Sequence, residues 1–153
     1  MKKLLSFIII CSLHSSLSSQ VLNNQGLYEE EDGTLFTGNF TSTQNNIKSV
    51  LTVKSGVIDG PAEYYTPDGK LLESGNFRNG FKHDKWTRYN VNGTISAIAF
   101  YNLGKKDGKW LVFDENGKKR FELNYDNGTK TGTWTNWDEN GQITDSKDYS
   151  KLN

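Results

Sequence analysis

Three kinds of residue in this chain could carry chemistry. Once the first 19 residues are set aside, His83 is the one histidine left. A nucleophile–histidine pair needs a serine within reach and an acid to orient the imidazole, and no such constellation is marked around it. The bland alternative is a turn residue between two hairpins. The carboxylates Asp114, Glu115, Asp138 and Glu139 form two adjacent pairs, the residue types that glycoside hydrolysis requires. Both pairs fall in turns, where Asp is favoured for local hydrogen bonding, and no pocket-forming insertion accompanies them. Zinc sites draw on clustered His and Cys, which are absent, and Asp-Glu-Asn-Gly is too short for a calcium loop of the EF-hand kind. The expectation is a chain without catalytic residues, cofactor or metal. The third kind is aromatic: Trp86, Tyr89, Trp110, Phe113, Trp134 and Trp137, expected to form a binding face if their rings stay exposed.

The elements that would position those rings come from a repeat. Gly69, Gly93, Gly117 and Gly141 stand 24 residues apart, as do Phe77, Tyr101, Tyr125 and Tyr149. Trp86, Trp110 and Trp134 keep the same interval, and so do Tyr65, Tyr89, Phe113 and Trp137. A fixed period in this range signals an array of small units rather than one thick core. The units run from Phe81 to Gly104, Lys105 to Gly128 and Thr129 to Leu152, with an earlier copy from about Gly56 to Gly80. Each opens on a motif such as Gly108-Lys109-Trp110 or Gly132-Thr133-Trp134. Asp84-Lys85-Trp86 replaces the glycine in one copy, and Gly60-Pro61-Ala62 replaces the tryptophan in another.

A strand then leads into Thr66-Pro67-Asp68-Gly69, Asn90-Val91-Asn92-Gly93, Asp114-Glu115-Asn116-Gly117 or Asp138-Glu139-Asn140-Gly141. These fit a type I turn whose glycine supplies the left-handed residue of a bulge. A second strand ends in the Phe or Tyr. Each repeat therefore reads as a β-hairpin, and no helical periodicity intervenes. Asp32-Gly33 followed by Thr37-Gly38-Asn39-Phe40 echoes the pattern as a half-copy, with a longer capping hairpin expected from Asn39 to Lys54. A lone hairpin is marginal in water, so the units must stack, and aromatic cross-strand pairs of about 0.2–1 kcal/mol each would hold them. The fold expected is all-β: an elongated antiparallel sheet of stacked hairpins. A one-residue slip exchanges its faces. With a two-residue turn Trp110 would share the face of Phe121 and Tyr125; with the bulged turn, favoured here, Leu111 and Phe113 share it and Trp110 goes opposite, and spacing alone leaves both facings open.

Phe121-Glu122-Leu123-Asn124-Tyr125-Asp126-Asn127-Gly128-Thr129-Lys130-Thr131-Gly132-Thr133-Trp134 resembles the variant MORN repeat, and so does Asn76-Phe77-Arg78-Asn79-Gly80-Phe81-Lys82-His83-Asp84-Lys85-Trp86. The resemblance covers roughly residues 27–149. It implies stacked hairpins used for binding or spacing, without catalysis, and His83 falls where such repeats often carry histidine. Bacterial proteins with this repeat are often labelled antitoxins, which act in the cytoplasm. Eukaryotic arrays are associated with membrane lipids and protein scaffolding.

Bulk composition narrows the partners. Hydrophobic residues make up 34% and aromatics 12%, so rings must supply what aliphatic side chains do not. The net charge is zero. Without the first 19 residues, which hold Lys2 and Lys3, 16 basic residues face 18 acidic ones. No basic stripe marks a nucleic-acid or anionic-lipid partner. Met1-Lys2-Lys3, the apolar run Leu4–Leu13 and the small residues Ser15–Ser19 read as a cleaved secretory signal. The run is too short for a transmembrane helix, which needs ~20 apolar residues. Lipidation at Cys11 is the alternative, although Ile10 stands where such signals carry a small residue. Beyond the signal no cysteine remains. Asn39-Phe40-Thr41, Asn92-Gly93-Thr94 and Asn127-Gly128-Thr129 match the N-glycosylation acceptor, which counts only in a eukaryotic secretory pathway.

The expected domains are a signal over 1–19, a half-repeat and capping hairpin over 20–55, and four repeats over 56–153. The expected function is that of a secreted, periplasmic or envelope scaffold binding another protein by a sheet face or by strand addition at an edge. The alternative is binding of cell-wall or surface glycan on the aromatic ladder.

Overall fold

The computed structural model describes residues 20–150. The expected signal, Cys11 and the last three residues lie outside them. The described chain is all-β. A two-stranded sheet, β1 (Val21–Leu22) with β2 (Tyr28–Glu29), precedes one long antiparallel sheet. The sheet begins with β3 (Gly38–Gln44), β4 (Ile47–Lys54), β5 (Val57–Tyr65), β6 (Leu71–Arg78), β7 (Phe81–Tyr89) and β8 (Ile95–Asn102). It continues through β9 (Lys105–Lys106), β10 (Gly108–Phe113), β11 (Lys119–Asp126), β12 (Thr129–Trp137) and β13 (Ile143–Asp148). Each strand pairs with its neighbours in sequence; β9 and β10 both lie against β8 and serve as one interrupted strand.

Beyond the first hairpin, whose Asn45-Asn46 turn is of the two-residue kind, two turn types alternate along the sheet. On one margin lie two-residue turns, Ser55-Gly56, Asn79-Gly80, Leu103-Gly104 and Asn127-Gly128, with both residues of each at positive φ. That is the type I′ geometry matched to strand twist. These turns also join consecutive repeats: Gly80 N–H donates to Ile58 O, Gly104 N–H to Lys82 O and Gly128 N–H to Lys106 O, at 2.7–2.8 Å. On the other margin lie the bulged turns expected from the sequence. In each, the glycine N–H donates to the first turn residue, as Gly117 does to Asp114 O at 3.0 Å.

Two bulges per repeat then set which side chains share a face. The first follows the bulged turn. Val112 pairs with Phe121 but Phe113 with Lys119, leaving Arg120 as an extra residue. Leu72, Ser96 and Thr144 are the equivalent extras in the other hairpins. This additional residue reverses the expected facing. Trp110 pairs with Leu123, on the face of Phe121 and Tyr125, while Leu111 and Phe113 lie on the other side. The turn is as expected from sequence; the bulge one step beyond it shifts the register by one and so exchanges the faces.

The second bulge falls at Gly60, Asp84, Gly108 and Gly132, all at positive φ, and explains the glycine that opens each repeat. Asp84 (φ 56°) takes the left-handed conformation that Asp tolerates better than most residues.

The buried residues gather at the N-terminal end. Phe36, Phe40, Leu51, Val53, Ala62 and Trp86 form one cluster, with Tyr28, Ile58, Tyr64, Phe77, Ala99 and Tyr101 packed against it. The segment from Gln20 to Thr37 folds over this face: Phe36 enters the cluster, and the rings of Tyr28 and Phe40 meet at 4.6 Å. Trp86 lies directly over Gly75. A Cβ added there would stand 2.3 Å from the indole, so only glycine admits the ring at that depth. Among the described residues none beyond Thr87 is buried. From β8 onward the protein is a single layer.

Candidate functional site

The face that carries Trp86 continues past the buried cluster as a column of rings. Tyr101 and Trp110 lie 5.2 Å apart by centroid, Trp110 and Tyr125 5.5 Å, Tyr125 and Trp134 5.2 Å, Trp134 and Tyr149 4.8 Å. Neighbouring rings are inclined by 51–61°. The bulge at the start of each repeat carries the tryptophan back over the preceding strand, where its indole N–H finds a carbonyl. Trp86 donates to Asn76 O at 3.0 Å, Trp110 to Phe100 O at 3.0 Å and Trp134 to Asn124 O at 2.9 Å. These hydrogen bonds hold the rings in one orientation, repeat after repeat.

Lysines complete the column. Lys82, Lys106 and Lys130 each sit opposite the ring that ends the previous strand, pairing with Phe77, Tyr101 and Tyr125. Their ammonium groups lie over the next tryptophan: 3.7 Å from Trp86, 4.3 Å from Trp110 and 4.3 Å from Trp134. Each also approaches a tyrosine, Lys106 to 4.9 Å of Tyr125 and Lys130 to 5.2 Å of Tyr149. Such contacts contribute roughly 0.5–1 kcal/mol each at exposed sites. These lysines recur every 24 residues, a signal present in the sequence that a search confined to aromatics passes over.

The six aromatics expected to share one binding face are divided by the structure. Trp86, Trp110 and Trp134 belong to the column. Tyr89, Phe113 and Trp137 pair with Ile95, Lys119 and Ile143 on the reverse face. There Lys119 lies 4.1 Å over Trp137 and, with Lys109, grips Glu122 at 2.7 Å. The two lysines beside Glu122 hold its carboxyl below the usual glutamate range. A single surface made of all six rings does not form, because strand alternation sends positions 86 and 89 of a repeat to opposite sides.

The other candidates have structural roles. His83 Nδ1 accepts from Leu103 N–H at 3.3 Å, where Asp59 and Asp107 accept from Asn79 N–H and Asn127 N–H in neighbouring repeats. It secures a tight turn. Asp114 accepts from the N–H groups of Asn116 and Lys118, and Asp138 from those of Asn140 and Gln142, all at 2.9–3.0 Å. The backbone carbonyls of Glu115 and Glu139 accept from side chains of the preceding turn, Asn92 and Lys118. Among the described residues no group of three His, Cys, Asp or Glu side chains could hold a metal ion, and no helix is long and apolar enough to cross a membrane.

The family model described as MORN repeat variant matches residues 58–79, 106–127 and 130–150. These stretches fall in the first, third and fourth of the four units read from the sequence. No curated protein matches the chain.

Proposed function

We propose that this chain, a repeat protein of the MORN variant family, is a non-catalytic scaffold that binds another polypeptide along the ring column of its C-terminal half. Repeats of this family generally serve in protein or membrane-lipid interaction rather than catalysis. One observation carries the reading. The column runs without interruption from the buried cluster to Tyr149, yet only its first part is covered by chain. From Trp110 to Tyr149 its rings are only half-buried, on a single-layer sheet, with Phe121 41% exposed beside them. A contiguous apolar strip of this kind, left open in an otherwise polar protein, is the signature of an interaction surface. The basic n-region and short apolar run at the N-terminus support placing it outside the cytoplasm, as a secreted or envelope protein.

The glycan alternative calls for broad, roughly coplanar rings with open faces. Here successive rings are steeply inclined and lysines overlie the tryptophans. This geometry supports the polypeptide reading. The test compares two folded variants in capture from an envelope extract of the source cells. Trp110→Ala/Trp134→Ala strips the column, and Phe113→Ala/Trp137→Ala strips the reverse face. Capture of a defined polypeptide should survive the second change and vanish with the first. Retention by both variants, or capture of polysaccharide alone, would refute the reading.

A further inference from the structure

Lys82 shows what a complete site on this column contains. Its ammonium group lies over Trp86 and is paired with Glu73 at 2.9 Å, so ring, cation and carboxylate are all supplied by one chain. Nine positions before Lys106 and Lys130 the residue equivalent to Glu73 is Ala97 and Phe121. The ring and the cation are retained and the carboxylate is gone. Among the described residues neither Lys106 nor Lys130 has an acidic partner within ion-pair distance. Both are exposed. The column therefore presents two cations, one repeat apart, each held over rings and each short of the counter-charge that Lys82 finds internally.

We infer that the occupant of this face is an acidic polypeptide segment in the polyproline II conformation, running across the strands with a carboxylate at every third residue. The inference rests on the polypeptide-binding reading above. The dimensions favour this conformation. One repeat spans two strands, roughly 9.6 Å at about 4.8 Å per strand. A polyproline II segment rises about 3.1 Å per residue with three residues per turn, so the same side recurs every 9.3 Å or so. An extended β-strand presents one side at about 6.7 Å intervals and falls out of step with the lysines. Sheet twist turns successive repeats by about 40–50°, which a chain without internal hydrogen bonds can follow. Pre-formed extension lowers the ordering cost of binding. Carboxylates arriving at Lys106 and Lys130 would reproduce the arrangement that Glu73 makes with Lys82.

The probe is a fluorescent synthetic peptide of repeating Glu-Pro-Pro, about 18 residues long, titrated against the purified chain by anisotropy. Repeating Ser-Pro-Pro, a peptide with glutamate at every fourth position, and polygalacturonate serve as comparisons. Glu-Pro-Pro should bind best, and more weakly as salt is raised. Lys106→Gln/Lys130→Gln should weaken binding about tenfold, in line with two exposed ion pairs. Ala97→Glu, which returns the missing carboxylate to Lys106, should weaken it by about threefold. Lys70→Gln, in the first bulged turn, should leave it unchanged. Equal binding of Ser-Pro-Pro, equal binding of the fourth-position peptide, or indifference to the lysine changes would overturn this inference while leaving the polypeptide-binding reading standing. Binding of polygalacturonate with no peptide bound would overturn both.

Discussion

Trp86 and Trp134 occupy the same position two repeats apart, yet the first is 2% exposed and the second is half-exposed. Two differences separate them. Beneath Trp86 lies Gly75, whose missing side chain makes room for the indole; the equivalent positions in the next two repeats are Ala99 and Leu123. On the Trp86 face, the N-terminal segment contributes Phe36 and Tyr28 to the cover, whereas Trp134 is flanked only by Tyr125, Tyr149 and Lys130 of its own column. The hydrogen bond from the indole, the lysine over the ring and the flanking bulge are the same in both. One repeat design therefore yields a core when small residues and a cover are added, and a surface when they are withheld.

Removing the tryptophans should expose that contrast most plainly. Trp86→Ala is expected to cost about 3–5 kcal/mol, the usual range for emptying a large buried site. Trp134→Ala should cost about 1–2 kcal/mol through its two ring pairs. Urea denaturation of both variants measures the gap, and equal losses would mean that the two halves do not differ in the way described. Gly75→Ala attacks the same difference from below. The new methyl group must displace Trp86, at about 1–3 kcal/mol, with a red shift in tryptophan emission.

Native-state hydrogen exchange probes the contrast without mutation. Amides of β4–β7 should exchange only through global unfolding, and those of β12 and β13 through cheaper local opening. Uniform protection across the sheet would contradict a covered half and an open half.

The smallest effect concerns the reverse face. Lys109 and Lys119 depress the Glu122 carboxyl in the folded state. A depressed acid stabilises the fold above its unfolded pKa, and that contribution drains away as pH falls through the lower folded value. Glu122→Gln should flatten this acid-side slope by at most about 1 kcal/mol, since the group is partly solvated. An unchanged acid titration of stability would remove the ion pairs from consideration.

Much of this architecture was legible before any coordinates. The turn glycines, the period and the stacked hairpins follow from spacing and turn chemistry; the glycines that open the repeats were visible too, but the bulge they form at Gly60, Gly108 and Gly132, with Asp84 as the tolerated exception, emerges only from the structure. The facing of the tryptophans was not legible. It depends on the bulge beyond each turn, at Leu72, Ser96, Arg120 and Thr144, four residues with no shared chemistry, because that bulge demands no special φ and leaves no mark on composition. The division of the six aromatics follows from the same source. The lysine column was within reach, since Lys82, Lys106 and Lys130 keep the period. The loss of Glu73 from later repeats gains meaning only once Lys82 is seen to pair with it.

The strictly sequential strand order also bears on how the chain acquires its shape. All pairings in the long sheet join strands adjacent in sequence, so contact order is low for an all-β protein. Sandwiches and barrels fold slowly because distant segments must find one another before any reward arrives. Here the covered hairpins of β4–β7 can form a nucleus from local contacts, and later hairpins can add one at a time to the growing edge, as in other linear arrays. Removing β12 and β13 should then leave the folding rate almost unchanged in a stopped-flow chevron. A large slowing would place the nucleus at the wrong end.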